Sequence, residues 1–207
     1  MILEAADRLL RHYGPHKTTV ADVAREAGVG VGTVYLEFPS KDAIVEELSR
    51  ARHAKVLGAM RAAASAPRRT YRDRLAAAFD ARLETYQTIA AEGAHACDLV
   101  HCGGEKGAPA AVGAAAIAGV KSALASFHDE ERALVADLLR RGAEAGELVA
   151  RDPDAVARAV LRAYAGFGAP WVATRDREEA RASIAVMHEL VLYGVVKRAP
   201  RARRKKP

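Results

Sequence analysis

The sequence predicts an all-α protein in which a small N-terminal helical unit precedes a larger helical domain. Alanine, the best helix former, supplies 47 of the 207 residues, and only 5% of the residues are aromatic. Apolar residues recur at helical spacing between short breaks, and no stretch of useful length shows the alternation of a strand. The chain is long enough to bury a core, and no run approaches the roughly 18 apolar residues of a membrane span.

Four helices are predicted in the first third of the chain, and their predicted spans are 2–13, 19–27, 31–38 and 41–64. The first ends at Gly14 and the proline that follows it. Gly28 begins the short break between the second and third helices. Ser40 is expected to cap the fourth helix, which Pro67 ends.

Five further helical segments are predicted in the rest of the chain, with spans 71–92, 95–101, 109–146, 153–174 and 177–196. The segment from Pro109 is long for one helix, which leaves open a break near His128. Residues 103–107 are the most flexible predicted loop. The predicted organisation is therefore a domain at 1–48, a second domain at 49–197 and a disordered basic tail at 198–207.

The net charge of +6 indicates an anionic partner, but its distribution is uneven. Residues 197–207 carry seven Lys or Arg and no acid, whereas residues 1–50 carry six basic and eight acidic side chains. The tail has two interpretations, an added non-specific DNA contact or a solvated segment without a role. Nucleic-acid binding by the N-terminal unit must therefore rest on local geometry rather than on bulk charge.

Residues 20–38 have the spacing of a helix-turn-helix. Ala24 is small where two helices would cross, and Gly28, four residues later, can adopt the positive φ of a tight turn. Thr19 can cap the first helix, with Asp22 at the acidic position of a capping box. The side chains expected to lock the two helices together are Val23, Val29 and Val34.

Three short stretches carry a resemblance to a known family. Residues 19–29 read Thr-Val-Ala-Asp-Val-Ala-Arg-Glu-Ala-Gly-Val, residues 32–35 read Gly-Thr-Val-Tyr, and residues 38–44 read Phe-Pro-Ser-Lys-Asp-Ala-Ile. This pattern resembles the TetR family of transcriptional regulators from residue 2 to about residue 48, and beyond that the resemblance is only architectural. It implies a homodimeric, ligand-responsive repressor that binds double-stranded operator DNA and senses an unknown small molecule with its C-terminal domain.

The family pattern implies roles for individual residues. Thr19, Tyr35 and Lys41 are expected to contact phosphates. The residues expected to face base edges are Gly30, Val31, Gly32, Thr33 and Val34. Gly30 stands where the family usually has a serine cap, and Val31 where a polar or basic residue is frequent. Because residues 29–38 contain no Arg or Lys, bidentate guanine contacts are excluded, and readout is expected to rely on methyl contacts and close backbone approach.

The C-terminal helices supply two further sets of candidates. The residues proposed to line an effector pocket are Phe79, Tyr86, Tyr164, Phe167 and Trp171. Those proposed for a twofold dimer interface are Ala165, Gly168, Ala169, Ile184, Met187, Val191 and Val195, where the small residues would allow close approach. Both sets have an alternative interpretation as core of the single chain.

A cluster of metal-capable side chains carries the alternative function, a metal or thiol redox protein. Its members are His95, Cys97, His101 and Cys102. At 100° per residue, His95 and Cys102 share one helix face while Cys97 and His101 share another, so at most two could bind one ion. No metal or cofactor is predicted.

Three observations predict a cytoplasmic protein that is not an enzyme. The two cysteines cannot build a disulfide framework, and the N-terminus lacks a signal-peptide pattern, so a reducing cytoplasmic compartment is expected. The sequence contains no nucleophile elbow, phosphate-binding loop or zinc-helix motif, so no enzymatic activity is predicted.

Overall fold

A computed structural model describes residues 1–67, 70–100, 114–169 and 171–195, without the side chains of 114–119 and 195. Within these ranges the chain is all-α, as predicted. Its helices are α1 (Ile2–Lys17), α2 (Val20–Ala27), α3 (Val31–Glu37), α4 (Lys41–Ala64), α5 (Tyr71–Ala91), α6 (Ala114–Glu144), α7 (Pro153–Tyr164) and α8 (Arg177–Val195). Short 3₁₀ turns cover Ala96–Leu99, Ala165–Phe167 and Trp171–Thr174. No helix in the described part is long and apolar enough to cross a membrane.

The first three helices pack with the start of α4 around a small core. The buried side chains at its centre include Leu10 of α1, Val23 of α2, Val34 of α3 and Ile44 of α4, each at most 1% exposed. This arrangement follows from the apolar spacing of each helix, because residues on one helical face recur every three or four positions. The three short helices are therefore held as one unit.

Helix α4 also belongs to a second, larger core. Beyond Leu48, its residues Val56, Leu57 and Met60, none more than 3% exposed, belong to a core to which α5, α6, α7 and α8 also contribute. The same rigid helix thus contributes to both cores. The domain boundary at residue 48 stays a prediction.

The predicted end of the first helix and the break left open near His128 have different outcomes. Regular helix does stop at Gly14, whose φ of +78° and ψ of 164° are non-helical, and one more helical turn follows this kink from Pro15 to Lys17 within α1. Helix α6 passes through His128 without a break. Phe127, Glu131 and Val135 recur every four residues on its buried face, which keeps the helix packed throughout.

The predicted helix at 153–174 ends instead at Tyr164. The carbonyls of Tyr164 and Phe167 accept hydrogen bonds from Nη1 of Arg82, each at 3.3 Å, rather than continuing an α-helical ladder. Gly168 has an extended backbone and turns the chain away from the helix axis. The predicted loop at 103–107 and tail at 198–207 lie outside the described residues.

Candidate nucleic-acid interface

The start of α2 is fixed by a complete capping box. The Thr19 hydroxyl accepts from the Asp22 amide at 3.1 Å, and the Asp22 carboxylate accepts from the Thr19 amide at 3.0 Å. The hydrogen bonds that the hydroxyl and the amide of Thr19 donate to the Asp22 carboxylate lower the pKa of Asp22 below its usual value. The Thr19 hydroxyl also donates to Asp22 at 2.6 Å, so its proton is engaged within the chain. A phosphate contact by Thr19 stays a prediction.

The turn between α2 and α3 has the geometry that the sequence predicts. Gly28 has a φ of +69°, and the Val29 amide donates to the Ala24 carbonyl at 3.0 Å. A left-handed residue at this position lets the chain reverse immediately after the helix. Ala24 is 2% exposed and Val29 is half-buried, so small and branched side chains fill the crossing of the two helices.

Helix α3 exposes most of the predicted base-facing residues but not all of them. Val31 and Tyr35 are 42% and 52% exposed, and Gly32 and Thr33 are also on the surface. Val34 is fully buried in the N-terminal core, which agrees with its predicted role in locking α2 against α3, so the other prediction, that it faces base edges, is wrong. Because successive residues turn by 100°, Val34 points away from the surface that Gly32 occupies.

Leu36 is a candidate that the sequence-based prediction missed. It is 88% exposed, the largest exposure among the large apolar side chains of the described residues. Two residues beyond Val34, it lies about 160° around the helix from that core side chain and directly beside Gly32, one turn earlier. Helical periodicity alone was sufficient to find it once Val34 was assigned to the core.

Lys41, the predicted phosphate contact at the start of α4, also has a structural role. Its ammonium donates to the carbonyls of Pro15 at 2.7 Å and Thr18 at 3.3 Å, at the C-terminal end of α1. An ammonium has three donors, so one is left after these two bonds. Lys41 thus ties the beginning of α4 to the segment that leads into Thr19. Its contact with phosphate stays a prediction.

Two family models match the chain. The model described as "Bacterial regulatory proteins, tetR family" matches residues 2–48, and the model described as "Tetracyclin repressor-like, C-terminal domain" matches residues 111–186. The chain belongs to the TetR family. It is a DNA-binding transcriptional regulator of a family without enzymatic activity, as the sequence predicts.

One curated relative adds local similarity. An uncharacterised transcriptional regulator of the helix-turn-helix type from Haemophilus influenzae is 38% identical over 48 residues, which make up 23% of this chain and 26% of that protein. The match therefore covers about a quarter of the relative's length.

Solved structures of regulatory proteins align over most of the chain. The fatty acid degradation regulator FadR from Bacillus halodurans is 18% identical, with a TM-score of 0.66 and coverage of 93% of this chain and 97% of that one. The regulator PfmR from Thermus thermophilus is 21% identical, with a TM-score of 0.57 and the same coverage. The ketosteroid transcriptional regulator KstR2 of Mycobacterium tuberculosis is 23% identical, with a TM-score of 0.54 and coverage of 95% and 94%. At these identities the likeness shows the fold alone.

The aromatic residues proposed for the effector pocket lie together in the C-terminal core of this TetR-family chain. The rings of Phe79 and Tyr164 stack with centroids 3.9 Å apart, and Phe167 packs between Tyr164 and Trp171 at 6.2 Å and 5.2 Å. Tyr86 is 3% exposed, and burial raises its pKa to about 12. The structure thus brings the five residues into one core, and their contact with an effector stays a prediction.

Polar groups of the described chain already engage the phenol of Tyr164. Its hydroxyl lies 2.6 Å from Nδ1 of His188, whose Nε2 lies 2.9 Å from the Asp80 carboxylate. Burial raises the pKa of this phenol well above its usual value. Asp80 also borders a surface cleft of about 460 Å³ between α5 and α8, with Leu83, Glu84, Arg181 and Ile184 as its other lining residues.

Parts of the predicted dimer interface face inward. Ile184 is 2% exposed within its own chain, and Met187 and Val191 are half-buried against the same core. Gly168 is buried as well, and a Cβ atom there would lie 3.5 Å from Nη2 of Arg82. The predictions that Ile184 and Gly168 form a twofold surface are therefore wrong, because both pack inside the monomer.

The remaining interface candidates divide between surface and core. Ala165 is exposed, Ala169 is half-buried, and the side chain of Val195 lies outside the described residues. A different stripe of α8 faces outward. Val186, Leu190 and Tyr193 are 61%, 71% and 52% exposed, at spacings of four and three residues on one face.

The metal-capable cluster has no support in the residues that the structure describes. Nδ1 of His95 lies 2.9 Å from the Asp98 carboxylate. The pKa of the Cys97 thiol is raised, mainly by burial and to a smaller extent by the negative charge of Asp98. A raised pKa disfavours the thiolate that metal binding and redox chemistry use. His101 and Cys102 lie outside the described residues, and the described residues contain no group of three or more His, Cys, Asp or Glu able to hold a metal ion.

Proposed function

We propose that this chain is a homodimeric, cytoplasmic transcriptional repressor that releases its operator when a small molecule binds its C-terminal domain. The observation that supports it most directly is the surface of α3, which presents Val31, Thr33, Tyr35 and Leu36 outward from a helix fixed by Val34. A helix can enter the major groove of B-DNA only with such an unobstructed face. Within the family this surface is the one expected to meet the operator.

The outward stripe of α8 supports dimerisation. Val186, Leu190 and Tyr193 form an apolar row on a helix whose opposite face is already buried by Ile184 and Leu192. Exposed apolar rows of this kind mark protein–protein interfaces. Operator binding by such a dimer requires the two copies of α3 to lie about 34–36 Å apart, the spacing of successive major grooves on one side of the duplex.

A buried network around Arg52 connects the two cores. Arg52 lies on α4 with 8% of its side chain exposed, and its Nη2 atom is 2.6 Å from the carboxylate of Asp7 on α1. Its Nη1 atom is 3.4 Å from both the Glu92 carboxylate and the Ala96 carbonyl, which follow α5. The DNA-binding unit and the larger core are thus joined by one guanidinium.

A second contact tightens the same junction. The His95 amide donates to the Arg11 carbonyl on α1 at 3.1 Å, and a Cβ atom on Gly93 would lie 2.7 Å from that carbonyl oxygen. Movement after α5 would therefore displace α1 and the unit that it carries. We expect the dimer to exist in two states, one with the α3 spacing that fits the operator and one with a wider spacing. An effector that binds the wider state more tightly shifts the population toward that state. Operator affinity then falls by no more than the ratio of the effector's affinities for the two states.

The assignment of roles on α3 is tested by two substitutions. Thr33→Ala is expected to change sequence preference, whereas Tyr35→Phe is expected to weaken binding to all duplexes by at least about tenfold, because a hydrogen bond to a charged group contributes about 1.5–3 kcal/mol. Fluorescence anisotropy with a selected operator and with random duplex measures both effects. An equal loss on both duplexes for Thr33→Ala would remove Thr33 from base readout.

A further inference from the structure

The face of α3 that lies opposite the core carries an exposed leucine beside a glycine. Leu36 stands at its centre with 88% of its side chain exposed, whereas Val31, which is 42% exposed, lies about 140° away around the helix. Gly32 precedes Leu36 by one turn, and a Cβ atom at Gly32 would meet nothing within 4 Å. The backbone at Gly32 can therefore approach a base edge closely, with Leu36 extending beside it.

The chemistry of this helix limits which bases it can recognise. Residues 31–37 contain no Arg or Lys for guanine and no Asn or Gln for adenine. Thr33, Tyr35 and Glu37 supply the polar side chains, and none of them forms a bidentate pair with a purine edge. The major-groove feature that an apolar side chain recognises is the C5-methyl group of thymine.

We infer that Leu36 is a specificity-determining residue that reads a thymine methyl group in each operator half-site, with Gly32 allowing the close approach. This inference rests on the proposed function. It extends the predicted base-facing set, 30–34, by two residues and replaces the buried Val34 with Leu36 as the apolar reader. This role explains why so large an apolar side chain is exposed in the free protein, because Leu36 becomes buried when α3 occupies the major groove.

The size of the effect follows from burial of one methyl group. Removing such a group from water changes the binding equilibrium about fourfold, which corresponds to about 0.8 kcal/mol. A symmetric operator contains two half-sites, so loss of the methyl from both is expected to weaken binding about fifteenfold.

The experiment uses thymine and deoxyuridine, which differ only by this methyl group. Operators are first selected from a randomised duplex library with the full chain, and each thymine of a selected duplex is then replaced by deoxyuridine. We expect at least one position in each half-site at which the replacement weakens binding about fourfold. Leu36→Ala is expected to bind the thymine and deoxyuridine duplexes equally, and Leu36→Met to keep the discrimination.

Controls separate the inference from the proposed function. Val149→Ala, which trims an apolar side chain that is 51% exposed outside the N-terminal unit, should leave the ratio of thymine to deoxyuridine affinity unchanged. Specific binding that is insensitive to deoxyuridine at every position, or full discrimination by Leu36→Ala, would overturn the role of Leu36 and leave the proposed function standing. Selection of no sequence over random DNA would overturn both.

Discussion

Replacing Glu131 with Gln is expected to lower the free energy of unfolding by about 3–5 kcal/mol, because it leaves the charge of Arg82 buried without its counter-charge. Glu131 is 2% exposed on α6, and its carboxylate lies 2.6 Å from Nε of Arg82 on α5, although the two atoms are not aligned as a hydrogen bond. The guanidinium also holds the carbonyls of Tyr164 and Phe167 and packs over the ring of Tyr86 at 5.2 Å. With 8% of its side chain exposed, Arg82 cannot become fully hydrated without separating α5 from α6 and α7.

Urea unfolding at one protein concentration measures this loss. Glu130→Gln is the matched control, because Glu130 is the neighbouring residue and pairs with Arg61 at 2.8 Å while 55% exposed. We expect that control to change stability by less than about 1 kcal/mol. Replacing both partners, with Arg82→Met and Glu131→Leu, should recover part of the loss, since no charge is then buried while the carbonyls of Tyr164 and Phe167 lose their donor. A Glu131→Gln loss no larger than that of the control would contradict this account.

The N-terminal unit could be predicted almost completely because its signals are local. The capping box at Thr19, the left-handed Gly28 and the cap at Ser40 each involve residues no more than four positions apart. Such signals fix helix ends before any tertiary contact is known. The error at Val34 arose because the family pattern assigned the run 30–34 to bases, whereas helical geometry turns one member of that run inward.

The C-terminal helices were harder to predict because their apolar residues occur on more than one face. On α8, Ile184 and Leu192 are buried while Val186 and Leu190 are exposed, so hydrophobic periodicity could not decide which stripe faces the core. The orientation depends on α5 and α7, which pack from distant parts of the chain. Alanine-rich helices weaken the distinction further, since a small side chain fits both surface and core.

The buried ion pairs were also beyond sequence reasoning. Arg82 and Glu131 are 49 positions apart, and Arg52 and Asp7 are 45 apart. Neither separation has a helical or turn signature, and a charged residue is usually assigned to the surface. These pairs become visible only when the packing of α1, α4, α5 and α6 is known, although they join the elements on which the proposed coupling depends.

The outward stripe of α8 leads to the second large expected effect. Leu190 is 71% exposed between Val186 and Tyr193, so a charge at this position changes the surface and leaves the core untouched. A buried, unpaired carboxylate at the centre of an interface is strongly unfavourable. Leu190→Asp should therefore abolish the dimer while thermal unfolding of the monomer stays cooperative.

Loss of the dimer should also weaken operator binding. Two DNA-binding units on one frame bind with a high effective concentration for the second unit, an advantage of about 10²–10⁴ in affinity. Because the first 50 residues have more acidic than basic side chains, one unit alone has little general attraction to DNA. We expect Leu190→Asp to weaken binding to a palindromic operator by a factor in that range, while binding to an isolated half-site stays unchanged.

Analytical ultracentrifugation at micromolar concentration gives the decisive measurement for Leu190→Asp. The native protein should sediment with twice the mass of the 22.1 kDa chain, through an interface that buries more than about 1,200 Å² in total, and the variant should sediment with the single mass. Val149→Asp is the matched control, since Val149 is also an exposed apolar residue but lies between α6 and α7, and this variant should remain dimeric.

A native chain that sediments as a monomer yet binds a palindromic operator tightly would refute the dimeric mechanism. A dimeric Leu190→Asp variant would place the interface on another face, because the repulsion of two facing carboxylates cannot be avoided at a twofold contact through this stripe.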